Sequence, residues 1–387
     1  MKRIYHFFIL SILLLSVALF TSSCSDSEPD HGGTHRTVLV YMAANNDLSY
    51  NAITDYNEIK EGVRTATGLN GGRILVYITT PSTTPRLVEI DSKGNETELR
   101  KYSDGLSSLS IQQMRQVIDD TKSIAPADDY GLILWSHGTG WINDGGVIDE
   151  SPSISPQSFG QDGTGDYNNP IRRMKISSLA EALAPHHFCF IYFDCCHMAT
   201  VEVAYELRHV TDRIVASATE LPTDGMPYHL NIPAFFRPTP DLEQAATNTF
   251  RQYASDRFSP GCSISLIDTE ALDQLAQATR AILSSSPSLP QGYTPVRYFR
   301  TIVMSTGIFD MYHYIHHLTS DSDLLDRWDR AFNRCVTLHL TTSTVYNLPA
   351  DNFHGLGSHI LSTPTDALTY GYDETSWWAD VASSQFN

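Results

Sequence analysis

Short runs of apolar residues, mostly β-branched or aromatic, recur along the chain and are separated by stretches with helical periodicity. Six of the runs are continuous rather than alternating, which predicts buried parallel strands that are covered on both faces. They are Thr37–Met42, Arg73–Ile78, Gly131–Trp135, Phe188–Phe193, Arg213–Ala216 and Ser263–Ile267. The helical candidates between them are Asp47–Val63, Ile111–Ile124, Ile176–Leu183 and Thr200–Arg208. This alternation predicts an α/β sandwich with a mostly parallel central sheet.

Two segments depart from this pattern. Arg86–Arg100 alternates around Lys93-Gly94-Asn95, which predicts a hairpin inserted at the sheet edge. Trp141–Pro170 is long and polar, and such a loop inside a compact domain is either functional or mobile. The C-terminal part adds two helices and a strand, at Glu270–Leu283, Asp323–Phe332 and Val336–Leu340. No linker precedes these elements, so residues 36–387 are predicted to form one domain.

The N-terminus has the pattern of an export signal. Lys2 and Arg3 precede the apolar stretch Phe7–Phe20, which is too short for a membrane span and suits a signal peptide. The run Phe-Thr-Ser-Ser-Cys ending at Cys24 resembles a bacterial lipobox, in which the cysteine is lipidated after cleavage. We therefore expect a signal peptide over residues 1–23, lipidation of Cys24 and a flexible tether over residues 24–35. An ordinary secretory signal with an unrelated cysteine is the alternative.

Charge narrows the choice of partners and location. The 387 residues include 26 Lys and Arg against 44 Asp and Glu, a net charge of −18. Removal of residues 1–23 takes away Lys2 and Arg3 and no acid, which makes the charge of the mature chain −20. Because phosphate would be repelled, no nucleic-acid partner is expected. The N-terminal pattern predicts an exported protein, at the bacterial outer membrane or cell surface, attached to the membrane through Cys24.

The cysteines do not fit a disulfide scaffold. Beyond Cys24 there are five, at positions 189, 195, 196, 262 and 335, so at least one stays without an internal partner. An unpaired thiol in an oxidising compartment is at risk of oxidation, which makes a chemical role worth testing.

Two predicted strands end in reactive residues. His137 lies just after Gly131–Trp135, and Cys196 lies just after Phe188–Phe193. The carboxyl ends of parallel strands are where open α/β sheets bind ligands. A helix starting near Ala199 would direct its N-terminal amides at the thiol and favour the thiolate. A cysteine nucleophile needs a histidine within hydrogen-bond reach, so His137 and Cys196 form a candidate pair. Structural roles, in a loop or in the core, are the alternatives.

Several blocks together resemble the clostripain-like cysteine peptidases, within the wider caspase, gingipain and legumain group. The similarity covers nearly the whole mature chain and is carried by 37–48 (TVLVYMAANNDL), 136–141 (SHGTGW), 194–198 (DCCHM), 202–207 (EVAYEL) and 217–228 (SATELPTDGMPY). The resemblance implies a caspase-like three-layer sandwich. It also implies a Cys196–His137 dyad in an endopeptidase that acts on peptides or proteins, with backbone N–H groups near Gly138 and Cys196 stabilising the oxyanion.

The family's preference for cutting after basic residues, Arg especially, implies an acidic specificity pocket. Asp194 is the first candidate for its carboxylate, followed by Asp224 and Glu220. Each could instead be a solvated loop acid or a helix cap. Some relatives cut themselves between the histidine and cysteine blocks. The basic residues there are Arg172, Arg173 and Lys175, which makes them the candidate self-cleavage positions.

The resemblance implies no required cofactor, and no metal site is predicted. Calcium dependence occurs in the family, and residues 162–166 (DGTGD) offer carboxylates, but they do not match an EF-hand loop. Cys195 and His197 depart from the family's Ala and apolar residue. Cys195 is either a benign replacement or a partner that could trap Cys196 oxidatively. These departures leave two alternatives open: an inactive family member that serves as a surface-binding lipoprotein, and a redox or metal protein using Cys195, Cys196 and His197.

Overall fold

The computed structural model describes residues 34–142, 147–148, 159–164, 170–256, 258–285, 289–298 and 307–386. Within these residues a nine-stranded sheet forms the centre of the molecule. In spatial order its strands are β13 (Val336–Thr341), β11 (Ser263–Asp268), β10 (Arg213–Ala216), β9 (Phe190–Asp194), β5 (Ala127–Trp135), β1 (Thr34–Ala43), β2 (Arg73–Thr80), β3 (Thr83–Ile90) and β4 (Glu96–Lys101). The five strands from β10 to β2 are parallel, and the strands beyond them at either end are antiparallel.

Successive residues of the central strands point into two different cores, which explains the continuous apolar runs. In β1, Leu39 and Tyr41 belong to one buried cluster, whereas Val38 and Val40 belong to the other. The second cluster is covered by α1 (Ser49–Gly62), α5 (Tyr228–Phe235) and α6 (Leu242–Ser255). The first is covered by α2 (Ile111–Ile124), α3 (Ile176–Leu183), α4 (Val201–Glu206), α7 (Leu272–Ser285), α8 (Met311–Leu318), α9 (Ser322–Cys335) and α10 (Ser376–Asp380). The predicted three-layer α/β sandwich is confirmed.

The predicted hairpin is also confirmed. β3 and β4 pair antiparallel at the edge of the sheet, and Gly94 has a φ of 75° in the turn that joins them. The strand expected at Ser263–Ile267 exists but is antiparallel, and its inclusion among the parallel strands was wrong. Two helices, α5 and α6, separate it from β10, so the chain enters the sheet again from the carboxyl edge.

Around the sheet lie shorter elements, most of them in the connecting segments. They are β6 (Val147–Ile148), β7 (Phe159–Asp162), β8 (Arg172–Met174), β12 (Phe309–Asp310), β14 (Thr344–Val345), β15 (Leu348–Pro349), β16 (Gly357–Ser358) and 3₁₀ helices at Thr269–Ala271, Pro364–Glu374 and Ala382–Phe386. β8 lies between β6 and β7 in a small separate sheet. The described parts of the predicted polar loop thus include paired strands.

The described residues from Thr34 onward belong to one compact unit. β1 begins at Thr34, so the last two residues of the predicted tether belong to the first strand. The predicted signal peptide and Cys24 lie outside the described residues. Among the described helices, none has the length and apolar character that a bilayer crossing requires.

Candidate active site

The strand register brings the two candidate reactive residues to the same place on the carboxyl edge of the sheet. β5 and β9 are neighbouring parallel strands in which Trp135 pairs with Asp194. His137 and Cys196 each follow two residues beyond this pair. Parallel strands in register end side by side, so the loops that carry the imidazole and the thiol leave the sheet next to each other.

The two loops touch at Gly138. A Cβ at this position would lie 2.4 Å from the carbonyl oxygen of Cys196 and 3.3 Å from the Cβ of Cys195. Such a close approach to the backbone requires a residue without a side chain. Gly138 therefore packs directly on the chain that carries Cys196, and the oxyanion role of its N–H stays a prediction.

His137 has a carboxylate partner that the sequence reasoning did not nominate. Its Nε2 lies 2.8 Å from Oδ1 of Asp47, in the loop after β1. The His137 side chain is 31% exposed and that of Asp47 is 73% exposed, so both remain accessible from solvent. No signal in the sequence pointed to this contact, because Asp47 follows β1, and β1 lies next to β5 only in the folded sheet.

Cys196 is a half-buried thiol held by backbone. Its Sγ accepts a hydrogen bond from the N–H of Leu221 at 3.3 Å and lies 3.7 Å from the Leu221 carbonyl oxygen. Burial raises the pKa of Cys196 to about 11; the Leu221 N–H opposes this shift and the Glu220 carboxylate adds to it. The expectation of a thiolate favoured by helix N-terminal amides was wrong. α4 begins only at Val201, where Thr200 caps it, and the thiol lies before that turn.

The two neighbours of Cys196 have structural environments. Cys195 is 3% exposed and belongs to the core on the other face of the sheet, with its Sγ 3.8 Å from the Leu134 carbonyl oxygen. His197 is also buried and has a φ of 62°, in the left-handed region that histidine tolerates better than most residues. Its Nδ1 lies 3.1 Å from the Ala218 carbonyl oxygen, and burial lowers its pKa to about 4. Both side chains thus contribute to packing, and among the residues that the structure describes no cluster of His, Cys, Asp or Glu suits a metal ion.

Asp194 lies in a buried carboxyl pair with Asp55 of α1. Asp194 accepts the N–H of Met226 at 3.1 Å, and Asp55 accepts the indole N–H of Trp135 at 2.7 Å. A Cβ on Gly225 would lie 2.8 Å from Asp194 Oδ2 and 3.0 Å from Asp55 Oδ2, so both carboxylates meet beneath this glycine. Burial raises the pKa of both acids, and for Asp55 the nearby Asp194 charge raises it further. The pair therefore favours retaining a proton.

The other two specificity candidates lie on the segment that follows β10. Asp224 is exposed and directly precedes Gly225, above the carboxyl pair. Glu220 is half-buried and directly precedes Leu221, the residue that contacts the Cys196 thiol. The specificity roles of Asp194, Asp224 and Glu220 stay predictions. Sequence reasoning missed Asp55, although an acid on the apolar stripe of the predicted helix Asp47–Val63 was a signal for it.

The predicted self-cleavage positions lie in ordered structure. Arg172 and Arg173 are part of β8, which is paired on both sides, and Arg173 is 8% exposed. Its guanidinium donates to Gln161 Oε1 at 3.1 Å. The Lys175 Nζ donates to Glu374 Oε2 at 2.9 Å. Local opening of β8 would have to precede a cut after Arg172 or Arg173, and self-processing stays a prediction.

The candidate calcium loop uses its first carboxylate inside the protein. Asp162 accepts hydrogen bonds from Ser107 Oγ at 2.6 Å and from Ser108 N at 2.8 Å. Such donors compete with a cation for the carboxylate oxygens. Gly165 and Asp166 lie outside the described residues, and nothing in the described geometry supports calcium here.

Comparisons with known proteins agree with this geometry. The sequence profile of the Clostripain family matches residues 40–351. Clostripain from Hathewaya histolytica is 25% identical over 220 residues, which is 50% of this chain and 40% of that protein, so the match spans less than half of the relative. An X-ray structure of an inactive zymogen C11 protease from Parabacteroides distasonis is 28% identical, with a TM-score of 0.76, and the alignment covers 90% of this chain and 98% of that one. A secreted C11 cysteine protease from Bacteroides thetaiotaomicron, solved with an irreversible peptide inhibitor, is 29% identical with a TM-score of 0.75, covering 89% and 98%.

Proposed function

This chain belongs to the clostripain family, whose solved members include C11 cysteine proteases, and we propose that it is a cysteine endopeptidase with a Cys196–His137 dyad. The assignment of the dyad rests on the position of its two loops. His137 and Cys196 each follow two residues beyond a paired position of adjacent parallel strands, and the loops touch where Gly138 packs on the Cys196 backbone. The two side chains thus come from loops that touch, which supports a nucleophile and a base that come within hydrogen-bond reach when substrate binds.

The chemistry begins from an uncharged thiol, because the pKa of Cys196 is raised. The thiol proton moves to the His137 imidazole as Sγ attacks the scissile carbonyl carbon. The carbonyl π electrons move to the oxygen, which the backbone N–H groups near Gly138 and Cys196 stabilise. When the C–N bond breaks, the leaving amine takes the proton from His137. Water then hydrolyses the thioester and restores the thiol.

A preference for basic residues, Arg above Lys, follows from acids beside the nucleophile. Asp194 is fixed by the Met226 N–H, two residues before Cys196, and can present a rigid acceptor to a guanidinium. Asp224 and Glu220 add negative charge from the segment that contacts the thiol. Asp194 is assigned the largest part because its position is held by burial and hydrogen bonds.

Export and anchoring at Cys24 form a second part of the proposal. The charged, apolar and small-residue pattern of residues 1–24 supports it, and the relative from B. thetaiotaomicron is described as secreted. We further propose a latent form that is cut after Arg172, Arg173 or Lys175. The relative from P. distasonis is described as an inactive zymogen, and β8 would have to open before the cut.

The test compares hydrolysis of Arg-, Lys- and Ala-terminated fluorogenic peptides by reduced residues 25–387 and by Cys196→Ala. Cys195→Ala is the matched control, because it removes the adjacent thiol and leaves Cys196 in place. Arg cleavage that survives in Cys195→Ala and is lost in Cys196→Ala supports the dyad and the basic preference. Cleavage of another residue type, still dependent on Cys196, rejects Asp194 as the selector. Without cleavage by either the intact form or a form nicked at Arg172, with and without calcium, the inactive surface-binding lipoprotein becomes the better description.

A further inference from the structure

Three neighbouring strands end in line at the carboxyl edge of the sheet. Met42 of β1 pairs with Trp135 of β5, which pairs with Asp194 of β9. Beyond this line β5 leads to His137 and β9 leads to Cys196, while β1 leads to the loop that carries Asp47. The histidine strand is therefore flanked by the thiol strand on one side and by the strand that leads to a carboxylate on the other.

From this arrangement we propose that Asp47 is the positioning residue of His137: its carboxylate orients the imidazole, and the imidazole acts on the Cys196 thiol. These three residues are called the Asp47–His137–Cys196 row. The proposal rests on the endopeptidase function proposed above. Its central observation is the 2.8 Å contact between Asp47 Oδ1 and His137 Nε2. Surface ion pairs as a class contribute little to stability, so the claim concerns the orientation of the imidazole and not the stability of the fold.

The backbone before and after Asp47 is held in place by hydrogen bonds, although the Asp47 side chain is exposed. Asn46 is 1% exposed, and its Nδ2 donates to the carbonyl oxygens of Ala43 at 3.0 Å and Gln161 at 2.8 Å. Its Oδ1 accepts the N–H of Leu48 at 2.9 Å. The residues before and after Asp47 are thus tied to the sheet edge and to each other. Its carboxylate starts from a defined place, which lowers the entropy lost in holding the contact.

The loop that carries His137 is tied to the same point. The Ser136 hydroxyl donates to the Ala43 carbonyl oxygen at 2.8 Å, the acceptor that Asn46 also uses. On the other side, the Gly160 N–H donates to the His137 carbonyl oxygen at 2.9 Å. The carboxylate and the imidazole are therefore held by two loops that share one anchor, which is the form of support that a preorganised site needs.

The contact also determines which ring nitrogen can act as the base. A carboxylate is only an acceptor, so the neutral imidazole that binds Asp47 carries its proton on Nε2. Nδ1 then holds the lone pair. In the proposed reaction the thiol proton of Cys196 moves to Nδ1, and the same atom returns it to the leaving amine. The Asp47 carboxylate accepts the Nε2–H and stabilises the imidazolium that forms between these two transfers.

The experiment measures kcat and KM for the preferred peptide, together with the rate at which iodoacetamide alkylates Cys196. The variants are Asp47→Ala, Asp47→Asn and His137→Ala. Asp128→Ala is the matched control, because it removes an exposed acid from the amino end of β5. None of the three substituted side chains is buried, so each variant is expected to have the same unfolding temperature as the native protein.

Loss of a hydrogen bond to a charged group predicts that Asp47→Ala lowers kcat about tenfold, with KM unchanged. Asp47→Asn keeps an acceptor for Nε2–H and should recover part of this loss. Alkylation of Cys196 should slow in the same order, and Asp128→Ala should match the native protein. An unchanged kcat, an effect confined to KM, or an Asn variant no better than the Ala variant would overturn the proposal. A rise in kcat would overturn it too and would indicate that Asp47 restrains the histidine.

This design separates the failure of the positioning role from the failure of the function beneath it. If His137→Ala abolishes hydrolysis and slows alkylation while Asp47→Ala changes neither, the dyad stands and the role of Asp47 is rejected. If the native protein hydrolyses no peptide and His137→Ala leaves alkylation unchanged, the endopeptidase function is rejected together with the row.

Discussion

Two groups of polar side chains share the carboxyl edge of the sheet and differ in their access to water. The Asp47–His137–Cys196 row has an exposed carboxylate, a partly exposed imidazole and a half-buried thiol. The carboxyl pair of Asp55 and Asp194 is buried beneath Gly225. In the proposed row, the thiol and the imidazole can pass a proton to a substrate, and the carboxylate orients the imidazole. In the pair, two like groups shielded from water compete for one proton, which suits recognition of a cation better than proton transfer.

The largest effect that should follow from this contrast is on selectivity. Asp194→Asn keeps an acceptor for the Met226 N–H and removes the buried charge, whereas Asp224→Asn removes an exposed one. Loss of a buried charge partner predicts that kcat/KM for an Arg-terminated peptide falls by roughly three orders of magnitude in the first variant. Loss of an exposed partner predicts about a threefold fall in the second.

Hydrolysis of an Ala-terminated peptide serves as the internal control for both variants. It should be unchanged, because that substrate offers no cation to either carboxylate. If Asp194→Asn weakens Ala and Arg cleavage equally, Asp194 supports the position of the neighbouring Cys196 and does not select substrates.

A second prediction concerns the glycine above the pair. Gly225→Ala introduces a side chain at a φ of 63° and puts a Cβ 2.8 Å from Asp194 Oδ2. Gly71→Ala is the matched control, because its φ is 79° and a Cβ there meets nothing within 4 Å. The strain of alanine at a positive φ predicts that Gly71→Ala lowers the free energy of unfolding by about 1 kcal/mol. Because Gly225→Ala adds crowding to this strain, it should lower the free energy of unfolding by about 3 kcal/mol. Urea denaturation at pH 7 measures both. Equal losses of stability in the two variants would mean that the carboxylates move aside to make room for the methyl group.

The third prediction uses the pH dependence of the pair. The pKa of Asp55 is raised from its ordinary 3.8 to about 9, chiefly by burial and by Asp194. The folded protein therefore binds more protons than the unfolded chain between these values, and its stability falls as pH rises through that interval. Asp55→Asn keeps an acceptor for the Trp135 indole and loses the titration.

Asp55→Asn should consequently raise the free energy of unfolding at pH 8 by roughly 2 kcal/mol and change it little at pH 4. Denaturant titrations at the two pH values measure the difference, with Asp128→Asn as the exposed control. A variant whose stability has the same pH slope as the native protein would show that the pair is not protonated in the fold.

Most of the sheet could be predicted because both of its faces are buried. Strands such as Arg213–Ala216 and helices such as Ile111–Ile124 have the predicted bounds, since one apolar period dominates there. α5 and α6 were not predicted. α5 contains Pro233, and the buried face of α6 uses small or polar residues such as Ala245 and Thr249, which give a weak apolar signal.

Some residues of the candidate site could likewise be identified from sequence, and others could not. His137 and Cys196 could be identified from sequence because each lies two residues beyond the end of its own strand. Asp47 could not be assigned to His137, because that pairing depends on β1 lying beside β5, a fact of strand order and not of local pattern. The state of the thiol was predicted wrongly for a different, local reason: the following helix begins further along the chain than expected. Thr200, and not a residue next to Cys196, caps the following helix.

The smallest expected effect tests whether the two adjacent cysteines share chemistry. Cys195 packs in one core, and Cys196 packs against the other. Their sulfur atoms therefore lie on opposite faces, and a bond between them would require the backbone to rearrange. Oxidation of Cys196 should then proceed without help from Cys195, so Cys195→Ala should lose activity in hydrogen peroxide at a rate within about twofold of the native rate. Recovery of activity on adding a thiol reductant should be equally complete in both proteins. If native activity recovers and that of Cys195→Ala does not, a bond from Cys195 protects the nucleophile, and the separation of the two faces at this turn is incomplete.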